Sequence, residues 1–265
     1  MTHSNMETKI DEIYCMDCLQ FMEQTDAKAD VILTSPPYNT SRKGSALTAA
    51  DSNIRYDEFD DCRPNEEYIN WTCDIFNKFD WILCENGCVL YNLSYSAENV
   101  ALMWQVVAAI IERTPFTVAD CIVWRKKSAV PNNESPNKLT RLCEFVLVLC
   151  RKTELATFNC YKEKSSQRET GQQLYKNYFN YVEAANNDET CPFHKATYSS
   201  ELCRKLLQLY SKEGDLVYDP FMGTGTTAVA CVKEKRHFIG TEISGRYCNW
   251  AEHRIDVVQR QLTLF

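Results

Sequence analysis

Thr34-Ser35-Pro36-Pro37-Tyr38-Asn39 puts a hydroxyl, two prolines and a phenol on one short stretch directly after the apolar run Ala29–Leu33. Proline fixes φ, lacks an N–H and restricts its predecessor, so a strand over Ala29–Leu33 must stop here. The backbone carbonyls of Ser35 and Pro36 then cannot all join a ladder, and some must point into a site or into water. Tyr38 adds a flat amphipathic ring at the mouth of the same turn. A hydroxyl, a carbonyl and a stacking ring on one rigid turn can grip a planar heterocycle that carries an amine. Alone, the stretch also reads as a proline-rich turn with no chemistry.

A second turn supplies a complement. Leu216-Val217-Tyr218 reads as a strand, Asp219-Pro220-Phe221-Met222-Gly223-Thr224-Gly225-Thr226-Thr227 as a turn, and Ala228–Lys235 as a helix. Glycines between a strand and a helix let backbone approach a ligand closely, and the helix N-terminus favours negative charge. The third glycine of GxGxxG is missing, as is GxxxxGK[ST], which argues against dinucleotides and nucleoside triphosphates. The next strand, His237–Thr241, ends at Glu242, an acid placed about 20 residues on, where ribose hydroxyls are commonly bound. A ligand with a ribose and a carboxylate, but no need for a phosphate clamp, fits S-adenosylmethionine.

Several elements must position these turns. Ile13–Cys15 reads as a strand ending at Met16-Asp17-Cys18, and Cys18–Thr25 as a helix. Asn65–Leu83 is an amphipathic helix led by Pro64 and by Glu66-Glu67, with Gly87 breaking the chain before a strand over Cys88–Leu93. Ala97–Arg113 reads as a helix, Phe116–Trp124 and Phe145–Cys150 as strands, and Ser199–Tyr210 as an amphipathic helix. Thr40–Arg63 is polar and reads as a long mobile loop of the lid kind. Thr153–Thr190 is polar, basic and aromatic, and reads as an insertion into the core and not a further βα unit. Helices alternating with short apolar strands predict an α/β fold with a doubly wound, mostly parallel sheet.

Bulk properties bound the function. The 265 residues suit one large α/β domain, with no signal segment at the polar N-terminus and no bilayer-spanning run, so the protein is expected to be soluble and cytoplasmic. Of 14 cysteines, Cys84, Cys88, Cys121, Cys143, Cys150 and Cys231 sit in apolar segments as core residues. Cys15 and Cys18 form a lone CxxC without a second pair, so neither a metal site nor a disulfide framework is expected. Net charge is −7, yet Arg125–Arg168 holds ten Lys/Arg against four Glu, a stretch able to face a phosphate backbone.

With both turns in view the sequence resembles a family. DPFMGTGTT with a downstream GTE looks like the cofactor motif of class I methyltransferases. TSPPY looks like the catalytic [DNS]PP[YF] motif of the DNA amino-methyltransferases. Here the catalytic motif comes first, a permuted order similar to the β group of restriction-modification methyltransferases, and the resemblance covers nearly the whole chain. It implies the class I S-adenosylmethionine-dependent fold, circularly permuted, over residues 1–265, with a small inserted DNA-contact and target-recognition region at 125–192.

Residue by residue, the resemblance implies that Ser35 and the Pro36 carbonyl accept hydrogen bonds from the target amine, with Pro37 stiffening the turn. Tyr38 would stack on a base taken out of the duplex. Asp219, Phe221, Gly223 and Gly225 would line the methionine end of the cofactor, with Thr34, Pro220, Thr226 and Thr227 completing the set, and Glu242 would hold the ribose. Asp17 and Cys18 would lie near the adenine ring. His194-Lys195-Ala196-Thr197-Tyr198 is similar to the HPAxF segment that closes the pocket, so His194, Ala196 and Thr197 join the cofactor set; Lys195 replaces the proline, and Ser199 a second one. Trp124–Asn132 is similar to a W-x-K-x-x-A-x-P-x loop beside DNA, which with Arg141 makes Arg125, Lys126, Lys127, Asn132 and Arg141 the DNA-contact residues. The implied partners are double-stranded DNA, a second copy of the chain and a cognate restriction endonuclease, with S-adenosylhomocysteine as the cofactor product.

The chemistry agrees. An exocyclic amine is a poor nucleophile because its lone pair is delocalised; accepting its N–H bonds frees that pair for an in-line approach. A cytosine C5 enzyme would need a Pro-Cys nucleophile, and no Pro-Cys dipeptide occurs. In the family the sequence resembles, serine before Pro-Pro leans toward cytosine N4, with adenine N6 as the alternative; the chemistry of Ser35 alone does not decide the base. An RNA or protein methyltransferase and a non-catalytic DNA-binding protein of the same fold are the remaining readings.

Overall fold

The computed structural model describes residues 6–39, 63–96, 99–129, 131–188 and 198–263. In chain order they form β1 (Glu12–Cys15), α1 (Cys18–Gln24), β2 (Ala29–Thr34), α2 (Asn65–Ile82), β3 (Leu83–Leu93) and α3 (Val100–Arg113). There follow β4 (Phe116–Lys126), β5 (Cys143–Arg151), β6 (Lys164–Gln167), β7 (Gln173–Tyr175), β8 (Tyr181–Ala184) and α4 (Ser200–Tyr210). The chain closes with β9 (Leu216–Asp219), α5 (Thr226–Lys233), β10 (His237–Glu242) and α6 (Gly245–Thr263).

Neighbouring residues of the central strands enter opposite cores. Val31 and Leu33 of β2 pack with α4, α5 and α6, whereas Ala29 and Ile32 pack with α1, α2 and α3. The same division separates Cys88 and Leu90 from Val89 and Tyr91 in β3, and Val146 and Val148 from Leu147 and Leu149 in β5. Strands covered on both faces read as unbroken apolar runs, which is why they are visible in the sequence. The eight-stranded sheet has the order β1-β10-β9-β2-β3-β5-β4-β8, and β5 alone runs antiparallel to its neighbours. This is the expected doubly wound, mostly parallel sheet. Among the described residues no helix is long and apolar enough to cross a membrane.

The topology creates one crevice that matters. From β9 the chain turns through α5 to β10 on one side; from β2 it turns through α2 to β3 on the other, with α5 and α2 on opposite faces. The order therefore reverses between β9 and β2, and ligands of open α/β sheets bind outside the carboxyl ends at such a switch point. Thr34 and Asp219 are the last residues of those two adjacent strands.

Three elements depart from the sequence expectation. Gly87 does not precede the strand: β3 starts at Leu83, with a register shift opposite Ala29/Val31 and Asn86 at φ 58°. A Cβ on Gly87 would lie 2.8 Å from the Asp30 carbonyl, so glycine there permits a close approach inside the bulge. Part of the supposed insertion belongs to the core: β8 extends the main sheet parallel to β4, and only the β6–β7 hairpin stands apart. β8 is short and mostly exposed, as edge strands are, and so shows no buried alternation. Finally, α6 was not among the expected elements; Tyr247, Cys248, Ala251, Ile255 and Val258 form its buried stripe.

Candidate functional site

The glycine turn is braced from below. Asp219 is fully buried, and burial raises its carboxyl above the ordinary value, while four donors offset the cost. Thr34 Oγ1 donates to Oδ1 at 2.6 Å and the Phe221 N–H at 3.0 Å; Tyr198 donates to Oδ2 at 3.3 Å, and Thr227 makes a short bond to the same oxygen. Asp219 thus ties the end of β2 to the glycine turn and to the start of α5. Pro220 is buried with its carbonyl taken by Thr241, and Phe221 packs 5.4 Å from the Trp71 ring.

Above this brace the backbone is shaped for a ligand. Gly223 and Gly225 have φ of 53° and 84°, in the left-handed region that favours glycine. Gly225 is the N-cap of α5 and its Cβ would meet Ala251 of α6 at 2.8 Å. Among the described residues no side chain caps the first turn of α5, whose amides suit an anion. Glu242, at the end of the adjacent β10, accepts the Gly223 N–H on Oε2 and the Ser244 N–H on Oε1, each at 2.9 Å. Burial raises its carboxyl too, and those N–H donors counter the shift. Each oxygen keeps acceptor capacity for a hydroxyl, so the residues fit a ribose-bearing ligand with a carboxylate. Cys15 of β1 pairs in register with Glu242, which brings Asp17 and Cys18 to the same end of the sheet. Asp17 caps α1 through Leu19 and Gln20; Cys18 turns into the core, where burial pushes its thiol up. The two cysteines of the CxxC thus part, one exposed and one buried.

The sequence did not single out Arg254 and Asp188. Arg254, from α6, donates to the Thr224 carbonyl at 2.6 Å and to Thr226 Oγ1 at 3.3 Å, and pairs with Asp188 at 2.7 Å. Asp188 in turn accepts from Ser200 at the start of α4. His194, Ala196 and Thr197 lie outside the described residues, as does the 40–62 loop expected to be a lid. The ends of that loop are clipped: the Asn39 side chain makes two 2.8 Å hydrogen bonds to the Arg63 backbone.

On the β2 side, Ser35 and Tyr38 are half-buried and Pro36 and Pro37 buried. Tyr68 donates to the Pro37 carbonyl at 2.6 Å, which anchors the turn on α2. Ser35 Oγ and Tyr38 OH are 3.0 Å apart. Two residues that the sequence reading passed over join them: Asn92, 1% exposed near the end of β3, and Glu144 near the start of β5. Asn92 Nδ2 reaches Tyr38 OH at 2.6 Å, Glu144 Oε2 at 3.1 Å and Ser35 Oγ at 3.3 Å. Tyr38 OH donates to Glu144 Oε2 at 3.2 Å. A polar residue ending a buried strand, as Asn92 does in Tyr91-Asn92-Leu93, was the available signal.

Residues expected to meet DNA have partners within the chain, and one of them, Lys126, borders this cluster. Lys126 pairs with Glu144 and lies over the Trp124 ring at 4.9 Å. Arg125 pairs with Glu183, whose contact raises the guanidinium further, and Lys127 pairs with Glu201 at 3.0 Å. Arg141 donates to the Tyr95 carbonyl and lies 5.5 Å over that ring. Asn132 holds its own loop through Thr140, Lys138 and Ser135. Arg151 is internal, shared by Asp80, Glu154 and three carbonyls. The positive stretch is therefore not a bare cationic face.

Residues 29–253 match the family model described as DNA methylase, the N6/N4 methyltransferases. The chain is 25% identical over 270 residues to the type II methyltransferase M.MthZI of Methanothermobacter thermautotrophicus, covering 92% of this chain and 76% of that protein. The fold matches the cytosine-N4-specific PvuII DNA methyltransferase with a TM-score of 0.67 at 16% identity, over 96% of this chain and 91% of that one. It matches the M1.HpyAVI–SAM complex with a TM-score of 0.61 at 23% identity, over 92% and 98%.

Proposed function

The chain belongs to the N6/N4 DNA methylase family, and from that premise we propose that it moves a methyl group from S-adenosylmethionine to the N4 amine of cytosine in duplex DNA. The observation that carries the reading is the 2.6 Å hydrogen bond from Thr34 to Asp219. It joins the Ser-Pro-Pro-Tyr turn to the glycine turn at the switch point, so both open on one crevice.

In that crevice Glu242 holds the ribose hydroxyls, and the first turn of α5, which the Gly223–Gly225 turn leaves open to close approach, receives the carboxylate. Asp17 lies toward the adenine. Asp219, expected at the methionine end, is instead fully buried with both oxygens hydrogen-bonded, so it keeps the two turns in register. When bound, S-adenosylmethionine supplies a methyl group on an electron-poor sulfur. The chain supplies the grip on the acceptor: Ser35 Oγ and the Pro36 carbonyl accept from the amine, and the Tyr38 ring stacks on the everted base. Lys127, Arg125, Arg141 and Asn132 line the approach of the duplex, with lysine serving phosphate and the others base edges. A second copy of the chain and a cognate endonuclease are the partners of the same reading, in keeping with the type II relative.

Serine before Pro-Pro supports cytosine N4, as does the specificity of the PvuII enzyme that shares the fold; adenine N6 is the alternative. Nucleoside mass spectrometry of DNA from cells expressing the protein tests this. N4-methyldeoxycytidine is expected with the wild type and is absent with Ser35→Ala. N6-methyldeoxyadenosine alone would favour the alternative, and no methylated base would defeat both.

A further inference from the structure

The side chains around Ser35 include one that can only accept hydrogen bonds. Ser35, Tyr38, Asn92 and Lys126 all have protons to give, whereas the Glu144 carboxylate has none. One of its oxygens takes the Lys126 ammonium; the other receives Tyr38 OH at 3.2 Å and Asn92 Nδ2 at 3.1 Å. The single hydroxyl proton of Tyr38 is thereby directed at Glu144, and the phenol oxygen becomes an acceptor. Asn92 Nδ2 fills part of it at 2.6 Å, and the Ser35 hydroxyl, 3.0 Å away, gives it the remaining proton. Ser35 then has no proton left for the crevice and faces it with lone-pair capacity, Asn92 Nδ2 standing 3.3 Å from the same oxygen.

Glu144 also dictates the Asn92 amide. Turned over, Oδ1 would stand 3.1 Å from a carboxylate oxygen, so the amide must aim its nitrogen there. Its Oδ1 is left buried with no hydrogen-bond partner among the described residues. An orphaned acceptor is costly and persists where a stronger demand holds the group in place.

We propose that Glu144 is a positioning residue that sets the proton direction along Ser35–Tyr38–Glu144, so that Ser35 Oγ meets the target amine as an acceptor. The need arises from the residue before Pro-Pro. A serine hydroxyl can donate or accept, and only acceptance frees the amine lone pair. A carboxylate on β5 removes the choice through two hydrogen bonds. The proposal rests on the methyltransferase reading and deepens it.

Single-turnover methylation of unmethylated plasmid DNA with S-adenosylmethionine tests it in the wild type, Glu144→Gln, Tyr38→Phe and the double variant. Dissociation constants for duplex and for S-adenosylmethionine, and melting temperatures, are measured on the same preparations. Glutamine can donate where the carboxylate could not, which lets the chain reverse; phenylalanine keeps the stacking ring and cuts the chain. Each single variant is expected to lose rate on the order of 10²-fold with both dissociation constants and melting unchanged. The double variant should be no slower than the slower single, since both cut one chain. A Glu144→Gln rate within about threefold of wild type overturns the proposal, as do losses that multiply in the double variant or a loss matched by weaker binding or earlier melting. Wild-type protein that methylates no DNA would fail differently, removing the parent reading and this assignment with it.

Discussion

The turns after β2 and β9 leave adjacent parallel strands at the same end of the sheet, yet they work in opposite ways. The Ser35–Tyr38 turn presents side-chain oxygens on a backbone stiffened by proline. The Gly223–Gly225 turn offers backbone and the exposed first turn of α5, which missing side chains let a ligand approach. A side-chain site is defined by which atoms are present, and a backbone site by which are absent. The first should therefore lose chemistry when altered and the second should lose binding and stability. Asp219 lies beneath both, which keeps two different devices in one register.

Crossed substitutions test that contrast most sharply. Ser35→Ala should lower methyl transfer on the order of 10²–10³-fold and leave S-adenosylmethionine affinity by calorimetry unchanged. Gly225→Ala should do the reverse in kind: a left-handed residue driven into Ala251 costs about 1–3 kcal/mol, read as a lower melting temperature together with lost cofactor binding. If Ser35→Ala lost binding as well, the two turns would not be separable devices.

Glu242 offers a finer test because it belongs to the backbone device while carrying charge. Burial raises its carboxyl above 4.5, so ionisation in the folded state costs stability. The cost is absent below pH 4.5, where folded and unfolded chains both hold the proton, and it grows until the folded carboxyl has also ionised. Glu242→Gln never ionises and should gain on wild type in urea midpoint as pH rises through that window. It should also lose S-adenosylmethionine affinity by roughly 10- to 100-fold, the worth of a hydrogen bond to a charged group. The smallest effect concerns Lys126, beside the side-chain device, and its neighbour Lys127. Lys127→Gln should flatten the salt slope of duplex binding by about one without slowing chemistry. Lys126→Met should slow chemistry and leave the slope unchanged, since its pair with Glu144 is largely shielded from solvent whereas the Lys127–Glu201 pair is exposed.

Much of this was legible before any coordinates. The central strands are buried on both faces and so announce themselves as apolar runs, and the Pro-Pro and Gly-x-Gly turns carry conformational signals that few other residues mimic. β8 was not legible, because an exposed four-residue edge strand has no pattern of its own. Glu144 and Arg254 were not legible either. Their sequence neighbours are ordinary, and their importance lies in groups 106 and 30 residues away, Tyr38 and Thr224. The basic stretch misled in a related way: composition counts charges, and only folding decides which of them meet a carboxylate first.

What the sequence by itself determined is the pair of turns, their order along the chain, the α/β alternation and thereby the kind of chemistry. What only the tertiary structure decided is that β2 and β9 are neighbours, that Asp219 locks their ends together, and that Asn92, Glu144 and Lys126 close around Ser35. Local conformation is written in residue types, because φ preferences and burial act within a few residues. Hydrogen-bond partners across a sheet depend on strand order and register, which no stretch of the chain contains alone.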